Sequence, residues 1–199
     1  MSRYREEDRE RAMRETRGAL LEAAAEEFAR EGYEGANINQ ISKAAGYAKG
    51  TVYNDFESKR ALMKALIEDT AALHLEYIAN RVGPEGMAGR RLDVFFEAGF
   101  DFVSDCPARA QTIVNNLYGP DASSREEMFQ AYVPMFELVG REVIGLGVEQ
   151  GVFRSVDPTT TANLVMLIYL GIASQVSPEG RPWLDAKFVA DFATRALRS

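Results

Sequence analysis

The chain has 199 residues, of which 46% are hydrophobic and 27% charged, and carries a formal net charge of −7. That length supports one domain with a real core, or two small ones sharing an interface. The acidity argues against nucleic-acid binding by bulk attraction, and the single cysteine, Cys106, excludes an internal disulfide and any multi-cysteine zinc site. The longest apolar run, residues 164–172, is about half of the roughly 18–20 residues a membrane span needs. The N-terminal stretch MSRYREEDRERAMRE is charged and lacks the apolar core of a signal peptide. Cytoplasmic placement with no membrane contact is the expectation. The charge is uneven: residues 1–60 hold 11 basic and 12 acidic side chains, a balance of −1, while residues 61–199 hold 12 and 18, a balance of −6.

In chain order, the first helix is predicted over residues 9–31, with Leu20, Leu21, Ala24, Ala25 and Phe28 as its buried stripe. Gly32 ends it, and Tyr33 is expected to fold back onto Phe28. Six arginines lie between Arg3 and Arg17. Two readings stay open for them: a solvated helix laced with Glu/Arg pairs, or a basic arm that touches DNA backbone or minor groove. Asn37 is a plausible N-cap, with Gln40 completing a capping box. Ile41, Ala44 and Ala45 give the short helix behind it an apolar face. Gly46 stops that helix, since only glycine takes a left-handed backbone without steric cost. A second short helix follows at once, from Lys49 to about Asp55. Helix, glycine turn and second helix form a helix-turn-helix, whose second helix enters the DNA major groove.

Ser58 reads as the N-cap of a long helix over residues 59–82, striped by Leu62, Leu66, Ala72, Leu73 and Ile78. GPEG at residues 83–86 is the clearest break. Five more helices follow, over residues 87–105, 108–117, 124–150, 158–174 and 184–198. The third of these carries a Ser124/Glu127 capping box and is expected to bend at Pro134. The fourth opens with Asp157 as cap and Pro158 at the first helical position. No strand alternation or internal repeat is present. The fold class is therefore all-α with about nine helices: a helix-turn-helix head over residues 1–60 and a helical remainder over 61–199, with the helix that begins at residue 59 joining them.

The stretch AAGYAKGTVYNDFESKRAL, residues 44–62, resembles the signature of the TetR/AcrR regulators, A-G-V-S-K-G-T-x-Y-x-x-F-x-S-K-x-x-L. Ala45, Gly46, Lys49, Gly50, Thr51, Tyr53, Phe56, Ser58, Lys59 and Leu62 match at fixed offsets, and the likeness covers roughly residues 12–64. Three positions depart from it: Tyr47 stands for the usual Val, Ala48 for a capping Ser or Thr, and Asp55 for a frequent His or Tyr. The resemblance implies a homodimeric, one-component transcription regulator. Its head binds a palindromic DNA operator, and a small apolar effector in the second domain releases it. The positions implied for DNA contact are Asn39, Lys43, Tyr47, Lys49, Gly50, Thr51, Tyr53, Asn54 and Lys59. Their chemistry agrees: Lys49 can donate to guanine O6 and N7, Thr51 can meet a thymine methyl or a phosphate, Tyr53 can reach a phosphate, and Lys59 lies near the backbone.

Aromatic residues crowd the remainder of the chain. A ligand pocket is expected among Phe96, Phe100, Tyr118, Tyr132 and Phe136, with polar groups from Arg109, Gln111, Asn115 and Asn116. Residues 164–170 are apolar on nearly all sides, so that helix needs cover on two faces. An isologous dimer contact through Val165, Tyr169, Ile172, Phe188 and Phe192 would supply it. His74, the single histidine, is read as a surface or packing residue, and Cys106 as an incidental thiol. No metal-ligand spacing or glycine-rich phosphate loop is present, so neither metal, cofactor nor enzymatic activity is expected. The alternative is a helical ligand-binding or partner-binding protein that has lost sequence-specific DNA binding, to which the −7 charge and Asp55 give standing.

Overall fold

A computed structural model describes residues 2–177 and 180–198, with side chains from residue 6 onward. Arg3 and Arg5 of the arginine-rich start thus lie outside the described side chains, as do Pro178 and Glu179. Helices α1 (Ser2–Gly35), α2 (Ile38–Ala44) and α3 (Lys49–Asp55) form the head. The remainder comprises α4 (Lys59–Val82), α5 (Ala88–Asp105), α6 (Pro107–Tyr118), α7 (Ala122–Leu138), α8 (Leu146–Glu149), α9 (Pro158–Ala173) and α10 (Ala186–Leu197). The described residues contain no strand, only isolated bridges between Phe153 and Arg198 and between Val176 and Pro182.

Gly32 breaks α1 with φ +69°, and Tyr33 stacks on Phe28 with ring centroids 6.1 Å apart, as the sequence suggests. The Asn37 cap forms, its Oδ1 accepting from the Asn39 N–H at 2.9 Å. Its reciprocal half does not come from Gln40. The Asn37 N–H donates instead to Glu27 Oε1 of α1 at 3.0 Å. Glu27 is almost fully buried, so its carboxylate needs donors, and this one ties α2 to α1.

Ser58 caps α4 as expected, accepting from the Ala61 N–H. The buried stripe of α4 differs from the expected one. Ala72 and Leu73 face solvent, and the inward ladder runs Leu62, Leu66, Thr70, His74, Ile78. At the start of α7 the cap is Asp121, not Ser124. Asp121 accepts from the Ser123 N–H at 3.0 Å and from the buried Ser124 hydroxyl at 2.7 Å, and also holds Arg60 of α4. The Ser124 bond, aided by Ser123 and Arg60, holds its carboxyl well below the usual carboxylate range.

The expected bend at Pro134 is also displaced. Pro134 lies in α7 on the exposed side, and the irregularity comes later, as a π-helical stretch over Val139–Gly145. There the Glu142 carbonyl accepts from Arg91 at 2.9 Å, while Arg91 also binds the Glu85 and Gly83 carbonyls of the α4–α5 turn. The widened turn and the interhelix break are thereby pinned to one another. One hydrophobic cluster runs from Leu20 and Phe28 of the head through Leu66 and Phe95 to Val165 and Leu197, so the core is continuous between the two parts.

Candidate nucleic-acid interface and ligand cavity

The head sorts its residues by face. Ile38, Ile41, Val52 and Phe56 are buried against α1 and α4. On the opposite side Asn39, Lys43, Tyr47, Lys49, Gly50, Tyr53 and Asn54 are exposed, and Thr51 is half-exposed. Gly46, at φ +78°, allows the turn between the two helices, which the Tyr47 N–H closes onto the Ser42 carbonyl at 2.9 Å. Ala48 supplies no side-chain cap to α3. The Lys49 ammonium lies 5.9 Å from the Tyr53 ring centroid, one turn along the same face. Among the described residues neither Lys43 nor Lys49 has an ion-pair partner, so both charges face outward.

Lys59 is placed differently. Its Nζ donates to the Glu34 and Ala36 carbonyls at 3.1 and 3.2 Å and sits 4.8 Å over the Tyr33 ring. Those carbonyls follow the break in α1, where helical partners run out. In this structure Lys59 fastens the α1–α2 junction to α4 rather than extending toward a phosphate.

Beyond the head, the residues expected around one pocket separate. Phe96 is fully buried in the core. Phe136 borders an open groove of about 820 Å³ with Phe129 and Val133, beside the π-helical stretch. Phe100 borders a polar groove near Asp101 and Asp185. Asn115 and Tyr118 flank an outer groove near Gly32, and Tyr118 is 65% exposed. The polar groups of α6 are likewise engaged elsewhere. Gln111 binds Asn115 at 2.8 Å, Asn116 binds the Thr112 carbonyl at 2.8 Å, and Arg109 turns toward α1 and α4. The pattern of aromatics marked the domain but not the facing of each ring.

Only Tyr132 of that set lines a small apolar cavity between the helices. This space, about 30 Å³, lies among α4, α5, α6, α7 and α9, with His74, Phe102, Ile113, Leu117 and Tyr169 around it. Val103, Ala110, Val114 and Ala173 line both this space and an adjoining surface cleft of about 420 Å³ bordered by α1 and α6. His74, read from sequence as a surface or packing residue, is buried at the centre. Its Nε2 lies 3.0 Å from the Tyr169 hydroxyl and its Nδ1 lies 3.3 Å from the Tyr132 hydroxyl. Tyr169 donates its proton to the Gly99 carbonyl at 3.0 Å, so it must accept from His74 Nε2–H. Nδ1 is then the bare nitrogen and accepts from Tyr132. Burial pushes the His74 pKa down to about 3 and raises both tyrosine hydroxyls, so the chain of bonds is neutral. The i+4 ladder Leu62–Leu66–Thr70–His74–Ile78 was the sequence signal that would have placed His74 inside.

The expected dimer residues also divide. Val165 and Tyr169 are buried within the chain and Ile172 is half-buried, because the face of α9 that carries them packs on its own domain. The outward residues of α9 are Leu164 and Leu167, and those of α10 are Phe188 and Phe192, each about 60% exposed or more. No helix among the described residues is long and apolar enough to cross a membrane, and none of their His, Cys, Asp and Glu side chains cluster in a metal-binding group.

Comparison with known proteins agrees with this geometry. Residues 20–66 match the profile of the bacterial regulatory proteins, tetR family. The chain is 28% identical over 152 residues to the HTH-type transcriptional regulator YvdT of Bacillus subtilis, covering 73% of this chain and 76% of that one. It is 34% identical over 74 residues to the HTH-type transcriptional repressor AcnR of Corynebacterium efficiens, covering 37% of this chain but only 39% of that protein's length. The fold is similar to that of AibR, solved in complex with isovaleryl coenzyme A and operator DNA, with a TM-score of 0.72, 23% identity, and 92% of this chain and 98% of that one covered. Profile, relatives and fold point the same way: residues 20–66 carry the tetR-family profile, and the chain is similar to regulators of that family.

Proposed function

We propose that this chain is a homodimeric, cytoplasmic DNA-binding transcription regulator, a repressor released from a palindromic operator by a small apolar effector, and not an enzyme. The observation that carries the reading is the sorting of α2 and α3. Their apolar side chains go to the core, while Asn39, Lys43, Tyr47, Lys49, Tyr53 and Asn54 stand together in solvent. A purely structural helix pair has no need of two unpaired lysines beside a glycine on its outer face. That set instead supplies phosphate anchors and base-edge donors. Residues 1–60 act as the DNA-binding head and residues 61–199 as the effector-binding and dimerisation part, with α4 belonging to both.

Two copies joined through the exposed α9 and α10 faces would present their α3 helices to successive major grooves, about 34–36 Å apart. An effector acts only by binding one head spacing better than the other, since equal affinity for both shifts nothing. AibR, whose fold this chain shares, is precedent for one chain holding both a small acyl compound and operator DNA.

The test is selection of bound sequences from a random DNA pool by the purified protein at moderate salt. Recovery of a palindrome, with affinity that falls steeply as salt rises, is the expected result. A folded dimer that enriches no sequence would overturn the reading in favour of a helical ligand-binding protein.

A further inference from the structure

The small cavity among α4, α5, α6, α7 and α9 has polar groups facing it, and their hydrogen bonding is specific. Tyr132 O–H donates to His74 Nδ1, His74 Nε2–H donates to Tyr169, and Tyr169 O–H donates to the Gly99 carbonyl. The last two bonds are 3.0 Å long, while the first is 3.3 Å, past the usual range for this kind of contact. The Tyr132 oxygen also keeps an acceptor site unused. The first link is therefore the weak one, and it borders the cavity. Phe102 stacks on the imidazole at 4.0 Å and 9°, closing one face of the ring.

A group entering between Tyr132 and Nδ1 must accept a proton from the tyrosine and donate one to the imidazole. A hydroxyl does both: Tyr132 O–H donates to the ligand oxygen, and the ligand O–H donates to Nδ1. Every buried polar atom then remains bonded. A ligand with only an acceptor, such as an ether or a thioester carbonyl, would leave the buried Nδ1 without a donor. A formal charge finds no counter-ion among the described cavity residues.

Size points the same way. About 30 Å³ is the room of one or two waters, enough for the hydroxyl and little else. The rest of the molecule has the adjoining 420 Å³ cleft, which shares the small side chains of Ala110 and Ala173 with the cavity. Cleft and cavity together have the dimensions of an ordinary small-molecule site, about 300–1,000 Å³. The cleft is bordered by Ala29 and Arg30 of α1 and by Ala108 and Gln111 of α6.

We infer that the effector is a small, uncharged, largely apolar alcohol or phenol, whose hydroxyl inserts between Tyr132 and His74 while its apolar body occupies the cleft between α1 and α6. This rests on reading the second domain as the effector-binding part.

The test uses para-cresol and para-xylene, which differ by one hydroxyl in place of a methyl, titrated calorimetrically into the DNA-free full chain. Para-cresol binds at least tenfold more tightly than para-xylene. The Tyr132→Phe variant, shown to be folded by circular dichroism, loses that preference and keeps its para-xylene affinity. Ala173→Leu, which fills the border shared by cleft and cavity, blocks both compounds. Perturbation of the one histidine side-chain resonance by para-cresol, and not by para-xylene, is the accompanying spectroscopic sign. Equal binding of the two compounds, absence of para-cresol binding, or a preference that survives Tyr132→Phe overturns the inference. Because the titration contains no DNA, a protein that fails it yet selects a palindrome remains a regulator with a different effector. A protein that passes it yet selects no DNA keeps the site and loses the operator.

Discussion

Arg109 of α6 donates twice to a single oxygen of Glu22 in α1, from Nε at 3.0 Å and from a terminal nitrogen at 2.7 Å. Its other terminal nitrogen reaches Asp69 at 2.9 Å and the Thr70 hydroxyl at 3.0 Å, both in α4. One buried guanidinium thus ties the second domain to the first helix of the head and to the helix the two parts share. Its chain neighbours Ala108 and Ala110 line the cleft bordered by α1 and α6.

Replacing Arg109 with leucine removes the cation but leaves Glu22 and Asp69 able to reach water, since both carboxylates are about half exposed or more. The loss is therefore smaller than for a fully buried pair, about 1–3 kcal/mol. Urea unfolding of Arg109→Leu should show it, and a double-mutant cycle with Glu22→Gln should return a coupling of about 1 kcal/mol. An unchanged midpoint would mean that the clamp does not hold the domains together.

The lysines of the head divide into two kinds with different signatures. Lys43 is exposed and unpaired, so Lys43→Ala should weaken binding to all DNA sequences and reduce the magnitude of the salt slope by about one. Lys59 is bound to the Glu34 and Ala36 carbonyls. Lys59→Met should leave the salt slope nearly unchanged and lower the stability of the protein by about 1 kcal/mol. Anisotropy titrations at several salt concentrations, paired with thermal melts, separate the two. If the slope falls for Lys59→Met as well, its side chain leaves the carbonyls to reach DNA.

What could be read in the sequence follows from how local each determinant is. The caps at Asn37, Ser58 and Asp157, the glycine stops at Gly32 and Gly46, and the GPEG break depend on neighbours within a few residues, and they form as read. The exposed face of α2 and α3 was legible for the same reason, since a short amphipathic pair fixes which side is wet. The misses are contacts between distant segments. Gln40 loses its expected role to Glu27, ten residues before Asn37. Ser124 becomes a donor to Asp121 because Arg60 of α4 also draws on that carboxylate. The pocket expectation failed since an aromatic-rich helix such as α5 buries Phe95, Phe96 and Phe102 on different neighbours, which spacing alone does not separate.

Acidification should reveal His74. Its folded-state pKa is lowered to about 3 by burial, against about 6.5 in the unfolded chain. Between those values the unfolded state holds one more proton than the folded state, so stability rises with pH across the window and falls as pH drops from about 6.5 toward 3. The slope from this one group is about 1.4 kcal/mol per pH unit at most. His74→Gln should flatten the profile between pH 6 and about 4.5, before most carboxylates titrate, at the cost of a lower plateau near neutrality. Because the chain has a single histidine, its imidazole resonances give the direct check. A midpoint near 6.5 in the folded protein would show an accessible ring and remove the argument.

A tight contact holds the same group in place from the other side. A Cβ built on Gly99 would lie 2.5 Å from the Tyr169 ring, so Gly99→Ala must displace that ring or the helix. Overpacking of this kind costs about 1–3 kcal/mol. It should also disturb the His74 resonances, which a distant destabilising change would not. Stability equal to that of the parent protein would mean that α5 and α9 shift apart freely.

The exposed apolar faces of α9 and α10 form a surface that a second copy of the chain would cover. Leu164, Leu167, Phe188 and Phe192 stand in solvent on helices whose other sides are buried, and full burial of such side chains is worth about 1.5–3 kcal/mol each. In an isologous contact each residue appears twice, so a single substitution places two like charges near the twofold axis. Leu167→Glu combined with Phe192→Glu should therefore give a folded monomer in analytical ultracentrifugation at micromolar concentration, without loss of helicity. Binding to a full palindrome should fall by several orders of magnitude, while weak binding to a half-site persists. If the variant remains dimeric, the groove bordered by Phe129, Val133 and Phe136 on α7 becomes the face to substitute next.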